Sequence, residues 1–155
     1  MENLLNNCYK FRAWDKINKK MYYIQGFIQR LNTIRIWYEE DDMIYNQSFH
    51  KDNIIIMQYI KIKDKNSKEI YEKDIVKATQ PNSYLGDMND LYKIIYYEKY
   101  ALFCFECIKS DNPYRLEERF KIPLTRNNHP YFITSSRVEI IGNIYENLEL
   151  SKEST

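Results

Sequence analysis

Cys104 and Cys107 are separated by Phe105 and Glu106, the spacing with which two thiolates grip a zinc ion or cycle through a redox disulfide. The surrounding run from Tyr96 to Ile108 reads as extended strand, however, and residues three apart on a strand point to opposite faces. The pair cannot share a metal there without a bend. His50 and His129 would be the further ligands, or the general bases of an acid-base site. Each is isolated, His50 at the end of a strand and His129 before a proline in a loop, which are places for surface or turn residues. Glu39-Glu40-Asp41-Asp42 supplies adjacent carboxylates, but acids in one charge run share a solvated environment and lack the separated pKa values that paired carboxylates need. Gly26, Gly86 and Gly142 are the only glycines in the chain, too few for a phosphate-cradling loop or a dinucleotide fingerprint. The expectation is a protein that is not an enzyme and holds neither metal nor cofactor.

The elements that would position any site read as strands. Tyr9 to Trp14 alternates, Met21 to Ile28 and Thr33 to Tyr38 form a hairpin pattern around Arg30-Leu31-Asn32, and Met43 to Phe49 continues the meander. Ile54 to Ile60 is almost continuously apolar and rich in β-branched residues, so it reads as a buried strand. Asp64-Lys65-Asn66-Ser67 follows as a turn. Glu69 to Thr79 alternates apolar and charged residues, a loop runs from Pro81 to Asp90, and Tyr92 to Tyr97 with Ala101 to Ile108 is the clearest hairpin. Pro113 to Phe120 reads as a short helix and Asn127 to Pro130 as a loop. Val138 to Tyr145 is the final strand, and Gly142 inside it marks a bulge or a close backbone approach. The fold class is therefore mainly β and antiparallel, with an SH3-like small barrel in the second half and at most one or two short helices. Residues 1–150 form one domain, with lobes at 1–60 and 61–150 as the alternative division, and 151–155 is a polar tail.

Composition bounds the partners. The chain has 155 residues, 15% of them aromatic and fifteen of them tyrosine, which excludes a disordered linker. Its 23 basic and 22 acidic residues leave a net charge of +1, so tight binding to generic nucleic acid is not expected. An odd cysteine count and short apolar runs point to a reducing compartment and away from a membrane, and the expected location is the cytoplasm, which the resemblance given below makes that of a bacterial host. The aromatic excess over one small core suggests self-association.

Three phrases lie in order along the chain: Lys10-Phe11-Arg12-Ala13-Trp14-Asp15, the stretch Met57 to Val76 (MQYIKIKDKNSKEIYEKDIV), and Val138 to Leu150 (VEIIGNIYENLEL). Together they resemble the YopX family of phage and prophage proteins. This chain departs from the usual family pattern at Lys61, Ser67 and Lys73, where glycines are usual, and at Leu148, where a proline is usual. The resemblance implies a phage or prophage setting and a homo-oligomer, but no reaction. On it we expect an accessory protein that binds a host protein or sequesters a small host ligand, with counter-defence as a role, and a nucleic-acid-binding accessory factor as the alternative. Candidate partner or ligand contacts are Arg12, Trp14 and Asp15, near Tyr22 and Tyr23, together with Tyr71, Asp74 and Tyr145. Each has a plain structural reading beside it: Trp14 as core, Asp74 as a turn acceptor, Tyr145 as the end of a strand.

Overall fold

The computed structural model describes residues 9–80, 88–112, 116, 121–123 and 135–151. The chain divides into two compact units, residues 1–59 and 60–155. The expected helix over Pro113 to Phe120, the Asn127 to Pro130 loop with His129, and Cys8 lie outside the described residues, apart from Leu116.

The first unit is an antiparallel meander of β1 (Phe11–Asp15), β2 (Lys20–Gln29), β3 (Thr33–Glu40), β4 (Met43–His50) and the start of β5 (Ile54–Lys63), in the spatial order β4-β3-β2-β1-β5. Phe-Arg-Ala-Trp-Asp thus becomes an inner strand, paired with β2 on one side and β5 on the other. Ala13, Tyr22, Ile24, Ile34, Ile36, Phe49 and Ile54 form the core on one face. The acidic run ends in a two-residue turn, Asp41-Asp42, in which both residues have positive φ (51° and 59°). That is the twist a tight hairpin needs, and Asp tolerates it better than most residues. The acids are hairpin residues in solvent.

β5 runs across the boundary into the second unit. There the chain continues through β6 (Glu69–Tyr71), β7 (Asp74–Gln80), β8 (Met88–Tyr97), β9 (Leu102–Lys109), β10 (Lys121–Pro123), β11 (Val138–Asn143) and the one-turn helix α1 (Leu148–Ser151). β7 to β11 make a five-stranded antiparallel sheet in the order β10-β9-β8-β7-β11. The sheet is open, a form compatible with a small barrel but not closed into one. Ile60, Ile70, Val76, Ala78, Tyr92, Ile94, Phe105, Cys107 and Val138 make its core. Cys107 joins that core beside Phe105, while Cys104, also buried, falls on the alternate face of β9. Among the described residues no group of His, Cys, Asp and Glu is placed to hold a metal ion.

Two readings shift. Glu69 to Thr79 is two strands, because Lys73 takes a positive φ of 68° and the Asp74 carboxylate accepts the Tyr71 N–H at 2.8 Å, which folds a tight turn between them. β8 begins at Met88 inside the expected loop, in register with β7 from Gln80↔Met88 onward: Thr79 Oγ1 donates to Asn89 Oδ1 across the pair, and within β8 the Tyr92 hydroxyl donates to buried Asp90.

Candidate interaction surface

Five of the six candidate contacts are buried, at 4% relative exposure or less: Arg12, Trp14, Asp15, Tyr71 and Asp74; Tyr145 is half-buried. Their local roles follow from where the backbone needs partners. Asp15 ends β1, and its Oδ1 accepts the Ile17 and Asn18 N–H groups at 2.8 and 3.1 Å while Oδ2 accepts Asn18 Nδ2 at 2.7 Å. This closes the β1–β2 turn, in which Lys19 has a φ of 55°. Burial alone would raise the Asp15 pKa; the bonds from Asn18 and Ile17 outweigh it and hold the carboxyl below its usual range. The Tyr71 hydroxyl donates to Glu69, and Tyr145 follows Asn143, whose Oδ1 accepts the N–H groups of Tyr145 and Glu146.

The phrases that looked like signatures are joined in space. Phe11 and Arg12 pair with Gln58 and Met57, and the Tyr59 N–H donates to the Lys10 carbonyl. In the second unit, β7 pairs with β11, the Lys65 N–H donates to the Val138 carbonyl, and the Ile144 N–H donates to the Lys73 carbonyl. Asp64 is the latch between them. Its Oδ1 accepts the N–H groups of Asn66 and Lys68, both at 2.9 Å, and its Oδ2 reaches across 76 positions of sequence to the Ile140 N–H at 3.1 Å. Burial again pulls the Asp64 pKa upward, and the three backbone donors, helped by Lys68, bring it net below the usual carboxylate value. Sequence reasoning missed this residue, because nothing local distinguishes it from any turn aspartate.

Gly142 sits at a register shift between Ile140 and Gly142, so the bulge is real, and it is also a point of close approach. The side chain of Asn147 folds back over it, and Asn147 Oδ1 accepts the Asn143 N–H at 3.2 Å.

Exposed surface of a different character lies on the first unit. The pairing register puts Tyr23 and Ile28 of β2, Trp37 and Arg35 of β3, and Ile44 of β4 on the face opposite the core. Tyr23, Ile28 and Ile44 are 66%, 52% and 65% exposed. Between them Gln25 donates to Glu39 at 2.9 Å and Arg35 to Ser48 at 3.0 Å, and among the described residues nothing lies within 4 Å of where a side chain at Gly26 would begin. Of these residues only Tyr23 stood near the residues the sequence singled out. The available signal was apolar residues in both phases of the strand alternation, as in Met43-Ile44-Tyr45.

A family model described as YopX protein matches residues 10–152. The chain belongs to the YopX family. Among solved structures, a crystal structure of protein EF1440 from Enterococcus faecalis has the same fold with a TM-score of 0.57 at 23% identity, covering 94% of this chain and 99% of that one. No curated protein matches the chain. Family membership gives the positive φ angles a meaning: Lys61, Ser67 and Lys73, the three places where glycine is usual in the YopX pattern, have φ of 62°, 64° and 68°. Positive φ is the conformation glycine adopts without cost, and this YopX chain bears the strain of side chains there. Ser67 closes the hairpin turn, its N–H donating to the Asp64 carbonyl, and the Lys73 N–H is held by the Ile94 carbonyl. The YopX phrases therefore encode turns and a strand junction.

Proposed function

We propose that this YopX-family protein is a non-enzymatic binding protein that docks a host protein on the outer face of β2, β3 and β4. The observation that carries this reading is the combination on that face of exposed Tyr23, Ile28 and Ile44 with Trp37 and Arg35. Aromatic, aliphatic and Arg side chains together are the composition of a protein interface core, and solvent exposure of several large apolar groups on one face is otherwise unfavourable. The phage or prophage setting implied by the sequence resemblance makes a host protein the partner class, and counter-defence is the role such a setting suggests. Near-equal positive and negative charge weighs against nucleic acid as the ligand.

The test is capture from a host lysate by the tagged wild type and by an Ile28→Glu/Ile44→Glu variant that keeps its sheet circular dichroism. One protein retained by the wild type and lost by the variant is expected. Equal retention by both, a small molecule found in the intact-mass spectrum of the purified protein, or sub-micromolar binding to DNA with a steep salt dependence would each overturn the reading.

A further inference from the structure

We propose that the end of the first unit where three connections meet is a docking surface for an acidic peptide segment of another protein, one that carries Asp or Glu beside a large aliphatic or aromatic residue. The 3-10 turn Lys51–Asn53, between β4 and β5, draws the connections together. Its Lys51 N–H donates to the Asn32 carbonyl at 3.0 Å, on the loop between β2 and β3. Its Asn53 carbonyl accepts the Lys16 N–H at 2.9 Å, from the turn between β1 and β2, and Lys16 Nζ donates to the Asp52 carbonyl at 2.7 Å. A 3-10 turn rises about 2 Å per residue, so the two outer loops are held within about 15 Å of each other although β2 separates them in sequence. Binding at this end is independent of the outer face of β2, β3 and β4.

Each outer loop carries an exposed aliphatic side chain, Ile17 at 66% and Leu31 at 86% exposure. Turns favour Gly, Pro, Asn, Asp and Ser for backbone reasons, and an aliphatic side chain offers the turn none of them. Lys16, Lys19, Arg30 and Lys51 are exposed on the same three connections, against one exposed carboxylate, Asp52, whose Oδ2 lies 3.3 Å from His50 Nδ1. Asp15 is buried beneath the first turn and bonded to Ile17 and Asn18, and Lys20 is held by Glu40 at 3.1 Å. This end is therefore cationic in a chain whose charges otherwise nearly cancel, and its complement is an anion that also buries aliphatic surface. An acidic protein segment supplies both. Its carboxylates accept from the planar Arg30 guanidinium and from the lysines, while a neighbouring Leu or Phe covers Ile17 and Leu31. Single-stranded nucleic acid supplies the anion but stacks its bases on aromatic faces, and the three connections contain no Phe, Tyr or Trp.

The test is to pan a random short-peptide display library on the full chain and to titrate the enriched peptides, synthesised with a fluorophore, by anisotropy. A consensus of Asp or Glu flanking Leu, Ile or Phe is expected, with an affinity that falls as salt rises. Arg30→Glu/Lys51→Glu, checked for its sheet circular dichroism, should weaken the consensus peptide by about tenfold or more. Leu31→Ser should weaken it by about tenfold while leaving every charge in place, and decides the matter if the charge-reversed variant fails to fold. Panning that enriches no peptide, a consensus without acids, or equal binding by the wild type and both variants overturns the proposal. So does a thymidine oligonucleotide bound more tightly than any selected peptide, which would give the end to nucleic acid. Peptide binding lost in Ile28→Glu/Ile44→Glu but kept in Arg30→Glu/Lys51→Glu would move the contact to the outer face. A light-scattering mass that drops to the monomer in Arg30→Glu/Lys51→Glu would give the end to the acidic hairpin of a second copy, and also overturns it.

Discussion

Adding a single methyl group at Gly142 should unseat the turn that follows β11. A Cβ built there stands 2.7 Å from Asn147 Cγ and 3.1 Å from its Cβ, and collides with Oδ1. Gly142 has an ordinary backbone conformation, so what the position requires is space rather than a left-handed φ. Rotating the Asn147 side chain away breaks the bond its Oδ1 accepts from the Asn143 N–H, and the backbone N–H of Asn147, which donates to the Asn143 carbonyl at 3.0 Å, holds its Cβ where it is. Asn143 is buried at 5% exposure and holds Tyr145, Glu146 and the Glu146 carboxylate in turn. Gly142→Ala therefore combines overpacking, about 1–3 kcal/mol, with loss of one hydrogen bond, about 0.5–1.5 kcal/mol, for a total of roughly 2–4 kcal/mol. Asn147→Ala alone should cost about 1–2 kcal/mol through the same bond. On that background Gly142→Ala meets only the residue-147 Cβ and should cost less than about 1 kcal/mol. Urea denaturation of the four proteins at constant m value measures the cycle. The two losses should fall short of additivity by about 1–4 kcal/mol, and a cycle additive within roughly 0.5 kcal/mol would refute the steric account.

The strained turn positions predict gains. Ser67→Gly should stabilise by about 0.5–1.5 kcal/mol, the left-handed strain of an L-residue less the extra chain entropy of glycine, and Ser67→Val should destabilise; thermal melts in which neither moves would remove strain as the reason for the family glycine. Lys73→Gly should gain less, because it also gives up the 3.2 Å ion pair with Glu72. Asp64→Asn should cost about 1–3 kcal/mol at neutral pH, since an amide cannot accept on both sides as the carboxylate does. The wild-type Asp64 pKa is lowered by folding, so its contribution is fully present above the unfolded value and lost as pH falls through the folded one. The stability gap between wild type and Asp64→Asn should hold at neutral pH and close below about pH 4, and a gap that persists in acid would show that the charge is not what matters.

The antiparallel strands were legible because their signal is local. Apolar alternation with period two and turn residues between runs is dictated by neighbours a few positions apart, so β1 to β5, the β8–β9 hairpin and the glycine of β11 could be read directly. Ser67 and Lys73 were conspicuous through the family pattern alone, and their backbone angles then explained it. The destinations of the polar groups were not legible. Asp15, Asp64 and Asp74 look alike in a strand-end context, yet Asp64 binds an N–H 76 residues away, and that depends on β11 returning beside β7. Trp14 and Arg12 could have faced solvent on an edge strand; they are buried on an inner strand, β1, whose pairing with β5 joins residues at least 39 apart in sequence, the separation of Asp15 and Ile54. In the same way, β4 reads as one more alternating strand, and only the strand order among the described residues puts it at the end of its sheet. Local sequence determines which residues extend and where the chain turns, through sterics and hydrophobic period. Which strand ends beside which is decided when distant segments bury a shared core, and that contact determines whether a carboxylate latches the fold.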